Sequence, residues 1–276
     1  MRACSFPESP RRGFTLVELL VAISILLLMS VLLSGISEQV TQIWTRGESQ
    51  NQHRVRARVA LQLIGREMKQ ALVPLDATNM KGFQFVINSP TVSAGYPDSV
   101  FWQAAVAKDK SSGDIAEVGY FIRWTAGEAD LCRFYVPSGN SSYLIYNLPA
   151  AWVTDALLEQ VAPATQASSY QGLFLQNVVG FWVIAYAANG TAYVGTYDSR
   201  TNGNLLPAYV DVSLALLDDN SSARMKNSAT LAAAVQKAGQ SAANAGAFLA
   251  LLDVPSLTAI SRGASAATFR VLFSDH

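Results

Sequence analysis

The hydrophobic pattern of the chain begins with a long apolar run that contains a single carboxylate. Residues 19–33 include no charged side chain, and in the longer run 14–36 the only ionisable residue is Glu18. A helix of that length spans the ~30 Å hydrocarbon core of a bilayer at ~1.5 Å per residue. The pattern therefore predicts a membrane-spanning helix over 14–36.

The helical pattern continues beyond the apolar run but becomes amphipathic. No proline occurs between Pro10 and Pro74, so one helix can extend from about Phe14 to Leu72. Within its second half, one apolar stripe recurs at helical spacing and consists of Leu61, Ile64, Met68 and Leu72. We expect a β-sheet to pack on this stripe.

After Pro74 the pattern changes to short β-branched and aromatic runs separated by Gly, Pro, Asp and Ser, which predict β-strands. Asn189-Gly190 between two apolar runs is the strongest hairpin signal in the chain. An Ala/Ser-rich segment, 222–252, predicts helices between the last two strands. The candidate strands lie at 83–88, 99–107, 115–124, 131–137, SYLIYNL, the runs around Asn189-Gly190, 209–218 and ATFRVLF near the C-terminus.

A long N-terminal helix followed by antiparallel strands predicts the α+β class. Formal net charge is zero, but residues 1–72 hold nine Lys/Arg against five Asp/Glu and residues 73–276 hold eleven against fifteen. A head with this acidic balance is a poor nucleic-acid surface. The run Arg54, Arg56, Arg58 with His53 is better interpreted as a solvated or inter-subunit helix face, because alternate helical residues point in different directions.

Few side chains in the chain could support catalysis or metal binding. The only histidines are His53 and His276, and no GxSxG, GxGxxG or P-loop is present, so no catalytic residues and no cofactor are predicted. Asp218 and Asp219 form a weak calcium candidate, for which a solvated turn is the favoured interpretation. Cys132 is expected to be a small buried strand residue, and four tryptophans, Trp102, Trp124, Trp152 and Trp182, to be core or interface residues rather than a sugar-stacking platform.

Basic residues before the apolar run predict its orientation. Arg2, Arg11 and Arg12 precede it, so the positive-inside rule places the N-terminus in the cytoplasm and the rest of the chain outside. A secretory signal peptide also starts with basic residues, but its apolar region has ~7–15 residues and is followed by a small-x-small cleavage site. The run here is longer and lacks that site, which favours a retained single-pass anchor.

Glu18 needs an explanation, because a charge at mid-bilayer costs roughly 2.5–3.5 kcal/mol. One interpretation is that it lies near enough to the headgroups to stay hydrated. The other is functional, and the sequence around it, RRGFTLVELLVAI, closely resembles the class III signal of type IV prepilins and pseudopilins. The resemblance implies that a prepilin peptidase cuts after Gly13 and methylates the new N-terminus at Phe14, with Arg11 and Arg12 in the basic leader. It also implies that Glu18 pairs with the terminal amine of a neighbouring subunit during filament assembly.

The head carries a second resemblance. ARVALQLIGREMKQALVPL, VVGFWVIAY and LPAYVDVSLALLD resemble the helix end and later strand pairs of J-type minor pseudopilins, and the whole chain is similar to the pilin-like Verru_Chthon cassette protein C. Both imply a pilin-like fold in which the long helix packs on an antiparallel sheet. The expected regions are a cytoplasmic leader at 1–13, a transmembrane and assembly helix at 14–36, its amphipathic continuation at 37–73, and a head at 74–276 with an insertion at about 220–267.

Three classes of function stay open at this stage. The first is a minor pseudopilin at or near the tip of a type II secretion-like pseudopilus in the bacterial inner membrane, with a periplasmic head and with prepilin peptidase, inner-membrane lipid and other pilins as partners. The second is a minor type IV pilin in adhesion or DNA uptake, although no nucleic acid is expected as a partner. The third is a membrane-anchored enzyme, for which the sequence offers no nucleophile and base.

Overall fold

The structure, a computed structural model, describes residues 15–73, 83–92, 98–106, 113–161 and 171–273, without the side chains of 36–52 and 161. The chain divides into two compact units, Met1–Ser49 and Gln50–His276. Its elements are one N-terminal helix with an apolar first part, followed by antiparallel sheets and a set of short helices. The α+β class is therefore confirmed, and this arrangement is consistent with a pilin-like fold.

The first helix, α1, runs over Leu16–Met68 and so lies within the predicted 14–72. A turn follows at Lys69 and Gln70, and the Leu72 N–H then donates 2.8 Å to the carbonyl of Gln103. The chain has thus left the helix and joined a strand edge before Pro74. Leu72, predicted to be the last member of the helical stripe, is half-buried beyond the helix end.

The second unit contains two antiparallel sheets. The strands are β1 (Val86–Ile87), β2 (Val100–Ala104), β3 (Ala116–Thr125), β4 (Glu128–Pro137), β5 (Gly172–Leu175), β6 (Val178–Tyr186), β7 (Tyr197–Asp198), β8 (Tyr209–Leu217) and β9 (Ala264–Leu272). Sheet 1 has six strands in the order β5-β4-β3-β2-β1-β7, and sheet 2 has three in the order β6-β8-β9. The sequence predicts one sheet, but two form, because β6 pairs with β8 rather than with the intervening β7, which joins sheet 1.

The α1 stripe packs against both sheets, as predicted. Leu61, Ile64 and Met68 are at most 1% exposed and belong to one apolar cluster that includes side chains of β2, β3, β6 and β8. Between them, Gly65 allows a close approach, since a Cβ there would lie 2.6 Å from the Phe269 ring of β9. This part of α1 is therefore the centre of the core. Burying such side chains is worth about 1.5–3 kcal/mol each.

The opposite face of sheet 1 has a separate apolar cluster. Phe101 and Phe134 on that face contact Trp152, and Phe121 contacts Phe101. Helix α2 (Asp155–Val161) adds Leu157 and Leu158 to the same cluster. The segment SYLIYNL, a strand candidate, forms turns instead, and its Tyr143 and Ile145 are buried in this cluster. Its apolar residues cover the sheet rather than extend it.

The predicted hairpin forms only in part. Gly190 has a φ of +82°, and the Ala187 N–H donates 2.9 Å to the Thr191 carbonyl, which closes the turn. The returning arm makes a single bridge, Tyr186 to Ala192, and then leaves for sheet 1 as β7. The Ala/Ser-rich segment is helical, as predicted, and lies between β8 and β9. It forms α3 (Asp219–Lys226), α4 (Ala229–Ser241), α5 (Ala245–Leu252) and α6 (Thr258–Ser261).

Candidate functional site

The first turn of α1 holds Glu18, the residue predicted to be the assembly charge. Thr15 precedes the helix, and its Oγ1 accepts a hydrogen bond of 3.3 Å from the Glu18 N–H. Thr15-x-x-Glu18 is the sequence of a capping box, in which a threonine satisfies one of the free N–H groups of the first turn. The carboxylate also lies at the positive end of the helix macrodipole, which favours an anion. Glu18 is exposed.

The helix that follows Glu18 is apolar on every side. Leu16–Gly35 has a mean hydropathy of 2.8 over its most apolar window and is fully exposed within the structure. Two of its three serine hydroxyls bond within the helix: Ser24 donates to the Val21 carbonyl at 2.8 Å and Ser30 to the Leu26 carbonyl at 2.9 Å. By length and composition this segment is able to span a membrane.

Four of the predicted site residues lie outside the described residues: Arg11, Arg12, Gly13 and Phe14. Cleavage after Gly13 and methylation of Phe14 therefore stay predictions. Glu18 is placed by the structure in the first turn that would follow the new N-terminus, and its role in assembly is likewise a prediction.

A buried ion pair joins the end of α1 to sheet 1. Arg133 of β4 donates from Nη2 to Glu67 Oε1 at 2.7 Å and from Nε to Oε2 at 3.1 Å, and the Tyr120 hydroxyl donates to Oε2 at 2.5 Å. Burial, followed by the charge of Glu67, raises the pKa of Tyr120 well above its usual value, so this phenol remains a donor. All three residues are at most 9% exposed. The arrangement fixes the register of α1 on the sheet and leaves no group free for catalysis.

A second buried carboxylate lies on the opposite face of sheet 1. Glu117 of β3 accepts from the N–H groups of Leu144 and Ile145 at 2.9 and 2.8 Å through Oε1. Three buried polar atoms in this region have no hydrogen-bond partner among the described residues. They are Oε2 of Glu117, Nε2 of its cross-strand neighbour Gln103, and the hydroxyl of Tyr143. Burial raises the pKa of Glu117 to about 8, against the lowering effect of the two N–H donors. The carboxyl is therefore mostly protonated at neutral pH.

These buried charges were missed by sequence reasoning, although a signal was present. Glu67 lies three residues after Ile64 and one before Met68, and so belongs to the apolar face of α1. Arg133 alternates with Leu131 and Tyr135 along β4 and therefore shares their buried face. A charge at a core position in each of two elements predicts that the two are paired.

The weak metal candidates are engaged in local structure. Asp218 Oδ1 accepts from the Ser221 N–H at 2.7 Å as the N-cap of α3, and Asp219 Oδ1 accepts from the Asn177 amide at 3.1 Å. Within the described ranges, no group of three or more His, Cys, Asp or Glu side chains could hold a metal ion. His53 is buried on α1, and His276 lies outside the described residues.

The basic run, the cysteine and the tryptophans singled out in the sequence lie at the surface or in the core as follows. Arg54, Arg56 and Arg58 are exposed, as expected for a solvated face. Cys132 is 1% exposed and unbonded, and burial raises the pKa of its thiol to about 11, which makes it unreactive. Of the four tryptophans, Trp102, Trp152 and Trp182 are buried and Trp124 is half-buried, which confirms their assignment to the core.

A cavity of about 370 Å³ lies beside sheet 2. Trp182, Tyr186 and Tyr193 line it together with the carboxylate of Asp98, and burial raises the pKa of Asp98 to about 7. The Asn244 side chain at its rim is already the N-cap of α5 through the Ala247 N–H at 2.9 Å. The cavity has the size of a small ligand pocket but no convergent set of polar groups.

Comparison with known proteins gives one match, at the N-terminus. Residues 9–34 match the family model of the prokaryotic N-terminal methylation motif, which corresponds to the type IV prepilin-type signal. No curated protein and no solved structure matches the chain. The match confirms the N-terminal resemblance and supports a membrane-anchored, pilin-like or pseudopilin-like structural protein. It implies processing by prepilin peptidase and assembly with other pilins, whereas the J-type resemblance of the head stays a prediction.

Proposed function

We propose that this chain, whose N-terminus carries a type IV prepilin-type signal, is a minor pseudopilin or pilin-like structural subunit of a bacterial filament. The observation that carries the proposal is the position of Glu18: a lone carboxylate in the first turn of a helix that is otherwise apolar for a membrane's width. The favourable effect of the helix macrodipole on such a charge, about 0.3–1 kcal/mol, is smaller than the penalty of roughly 2.5–3.5 kcal/mol at mid-bilayer, so an anchor that served only as a tether would have no net gain from it.

Processing comes first in the proposed sequence of events. Prepilin peptidase cuts after Gly13, removes the leader with Arg11 and Arg12, and methylates the new N-terminal amine of Phe14. The described helix begins at Leu16, capped by Thr15, and Phe14 is two residues before Leu16 in sequence. Cleavage therefore creates a positive charge close to Glu18 in sequence.

Assembly then uses the two charges. The carboxylate of Glu18 in one subunit pairs with the Phe14 amine of a neighbour, while the apolar surface of Leu16–Gly35 packs against other pilin helices. Each charge alone is costly in a low-dielectric medium, whereas the pair is neutral. The pairing therefore favours adding a subunit over leaving it in the bilayer.

The head determines where in the filament the subunit lies. We place the membrane segment in the inner membrane as a single pass, with a cytoplasmic N-terminus and a periplasmic head. The head is large, contains two sheets, and carries an inserted set of helices between β8 and β9. Bulk of this kind is easiest to accommodate at or near the tip of a type II secretion-like pseudopilus, which the J-like features of the sequence also favour.

The decisive experiment is to express the full chain in bacterial membranes with and without a prepilin peptidase, and to determine the N-terminus by mass spectrometry. We expect a chain that starts at methylated Phe14 only when the peptidase is present, and Gly13→Val to abolish the conversion. A chain that retains Met1 in the presence of the peptidase would overturn the proposal. Co-purification with candidate minor pilins then tests the tip position, and salt-dependent DNA binding would favour the DNA-uptake alternative.

A further inference from the structure

Strand β9 forms a free edge of sheet 2. In the order β6-β8-β9 it has β8 on one side and no described strand on the other. Its residues are more exposed than those of β8, and Leu272 near its end is 62% exposed. An edge strand of nine residues presents a row of unpaired backbone donors and acceptors to any second strand.

The ladder with β8 determines which backbone groups of β9 are free. At its two ends, the Asp218 N–H donates to the Gly263 carbonyl at 2.9 Å and the Phe273 N–H to the Ala208 carbonyl at 3.2 Å. In an antiparallel pair, alternate residues of a strand direct their N–H and C=O groups to the same side. Odd-numbered residues of β9 therefore face β8. The groups that face outward are those of Ala264, Ala266, Thr268, Arg270 and Leu272, none of which bonds to backbone of another described residue across this edge.

Within the described part of the chain, this edge shows none of three common protections against strand pairing. Natural edges are blunted by proline, by bulges or by free charges. The register of β8 with β9 is continuous, whereas β6 with β8 has an irregularity, and β9 contains no proline. Its one charge, Arg270, is held on the sheet by two hydrogen bonds to Asp211, of 2.7 and 2.8 Å, and lies over the Tyr209 ring.

We propose that this edge is a homotypic interface, in which β9 pairs antiparallel with β9 of a second copy of the chain about Thr268. In this register the Thr268 N–H of each copy donates to the Thr268 carbonyl of the other. Ala266 pairs with Arg270 of the second copy, and Ala264 pairs with Leu272 of the second copy. The backbone N–H and C=O groups of all five outward-facing residues are then hydrogen-bonded, and two three-stranded sheets become one six-stranded sheet.

The favoured partner is a second copy of the chain, because the side-chain sizes along β9 complement those of the same strand running in the opposite direction. Its first half, Ala264 to Ala267, has small side chains, and its second half, Phe269 to Leu272, has large ones. Antiparallel pairing about Thr268 sets each small residue opposite a large one on the same face, and Phe269 opposite Ala267. Arg270 faces Ala266 and not another Arg270, so no like charges are opposed. This pairing uses only the folded head and is independent of the proposed N-terminal processing.

Disulfide trapping tests the register directly. Residues of a hydrogen-bonded antiparallel pair have Cα atoms ~5.5 Å apart, within the range that a disulfide bridges. The full chain is prepared in detergent micelles with Cys4→Ser, Cys132 being buried, and Thr268→Cys is oxidised with copper phenanthroline. We expect a disulfide-linked dimer on a non-reducing gel as the major product at micromolar protein.

Two variants control for chance collision and for misfolding. Ala264→Cys lies on the same face of the same strand, but in the proposed register it is roughly 27 Å from its counterpart, so it should cross-link several-fold less. The double variant Ala264→Cys/Leu272→Cys should restore the cross-link without altering Thr268. Ala266→Pro removes one outward N–H that sheet 2 itself does not use, and should abolish the native dimer in sedimentation, whereas Ala266→Val should retain it.

Equal cross-linking of Thr268→Cys and Ala264→Cys would overturn the proposal, because it would indicate random encounter of anchored chains. Absence of cross-linking in both Thr268→Cys and the double variant would overturn it as well. A dimer that persists unchanged in Ala266→Pro would show that the contact lies elsewhere.

Discussion

The guanidinium of Arg133 holds the carboxylate of Glu67 through two hydrogen bonds, of 2.7 and 3.1 Å, between β4 and the last turn of α1. The two residues are 66 apart in sequence, and both are buried. Removing one partner of a buried pair leaves an uncompensated charge, which typically costs 3–5 kcal/mol, about as much as several apolar contacts. The pair therefore makes the docking of α1 on sheet 1 sensitive to a single substitution.

We expect Glu67→Gln, which keeps the shape but loses the charge, to lower the free energy of unfolding by about 3–5 kcal/mol. Urea unfolding of the full chain in micelles measures the loss. The matched control is Glu128→Gln, which breaks the exposed Lys226 pair of 2.6 Å and should cost less than ~1 kcal/mol. The double variant Glu67→Leu/Arg133→Met should be more stable than Glu67→Gln. Equal losses in Glu67→Gln and Glu128→Gln would contradict the importance of burial.

Glu117 should make the stability of the head depend on pH. Its pKa is about 8 in the folded protein against 4.5 for the ordinary side chain. A raised pKa means that its contribution is fully present below pH 4.5 and is lost as pH rises through 8. At 1.36 kcal/mol per pKa unit, a rise from 4.5 to about 8 corresponds to a loss on the order of 5 kcal/mol.

Glu117→Gln should therefore be more stable than the unaltered chain at about pH 8.5–9, which is above the folded-state pKa of about 8 and leaves the carboxyl mostly ionised. Denaturation series between pH 5 and 9 test this. The free energy of unfolding of Glu117→Gln should still depend on pH, but with a smaller slope, because burial also raises the pKa of Asp98, to about 7. The exposed Asp114→Asn serves as the control and should leave the slope unchanged. A Glu117→Gln profile that parallels the unaltered one would exclude this carboxyl as the source.

Gly65→Ala should destabilise the head although alanine is the better helix former. The new Cβ would lie 2.6 Å from the Phe269 ring and 3.2 Å from a methyl group of Val271, so α1 and β9 must separate. We expect overpacking to cost about 1–3 kcal/mol and the helix-propensity gain to offset about 1 kcal/mol of it, which gives a net loss of up to about 2 kcal/mol. Gly35→Ala, where nothing lies within 4 Å of the Cβ, provides the comparison and should not lower stability. An unchanged or raised midpoint in Gly65→Ala would show that the close approach is not limiting.

The charge and the cap at the start of α1 can be separated by substitution. Glu18→Gln keeps the backbone N–H that bonds to Thr15 but removes the charge, whereas Thr15→Ala removes the cap, worth ~1 kcal/mol, and keeps the charge. We expect Glu18→Gln and Glu18→Ala to insert into the membrane and to be cleaved normally, but to co-purify with much less of the partner pilins. Thr15→Ala should co-purify with nearly the same amount as the unaltered chain. Thr15→Ser is the matched control. Normal assembly of Glu18→Gln would leave Glu18 as a hydrated end-of-membrane residue.

Local pattern predicted most elements of the fold and little of their pairing. The α1 stripe, strands β2 to β4, β8 and β9, and the helices between them follow from periodicities of 3.6 and 2, which neighbouring residues determine. The separation into two sheets depends on β6 joining β8 across a loop that meanwhile adds β7 to the other sheet. Such pairings depend on tertiary packing, and the β-propensity of one segment considered by itself does not determine them.

The candidate site divides in the same way. Glu18 stands out in sequence because its neighbours are uniformly apolar, so one residue suffices to identify it. Glu67 and Arg133 are each a charge at an apolar position of their own segment, but only the fold shows that the two are partners. The segment around Tyr143 has the composition of a strand, but its residues cover the face of sheet 1. Exposing that apolar face to water would cost more free energy than the strand hydrogen bonds that the segment does not form.

The position of β9 at the end of the described chain has a consequence for the order in which the protein is made. Phe269 and Val271 lie against Gly65, yet about two hundred residues of synthesis separate these partners. In the orientation proposed above, a nascent head tethered by its N-terminus must therefore keep the apolar face of α1 incompletely covered until β9 has crossed the membrane. Until β9 pairs with β8, the open edge of β8 is the surface that a periplasmic chaperone would have to shield.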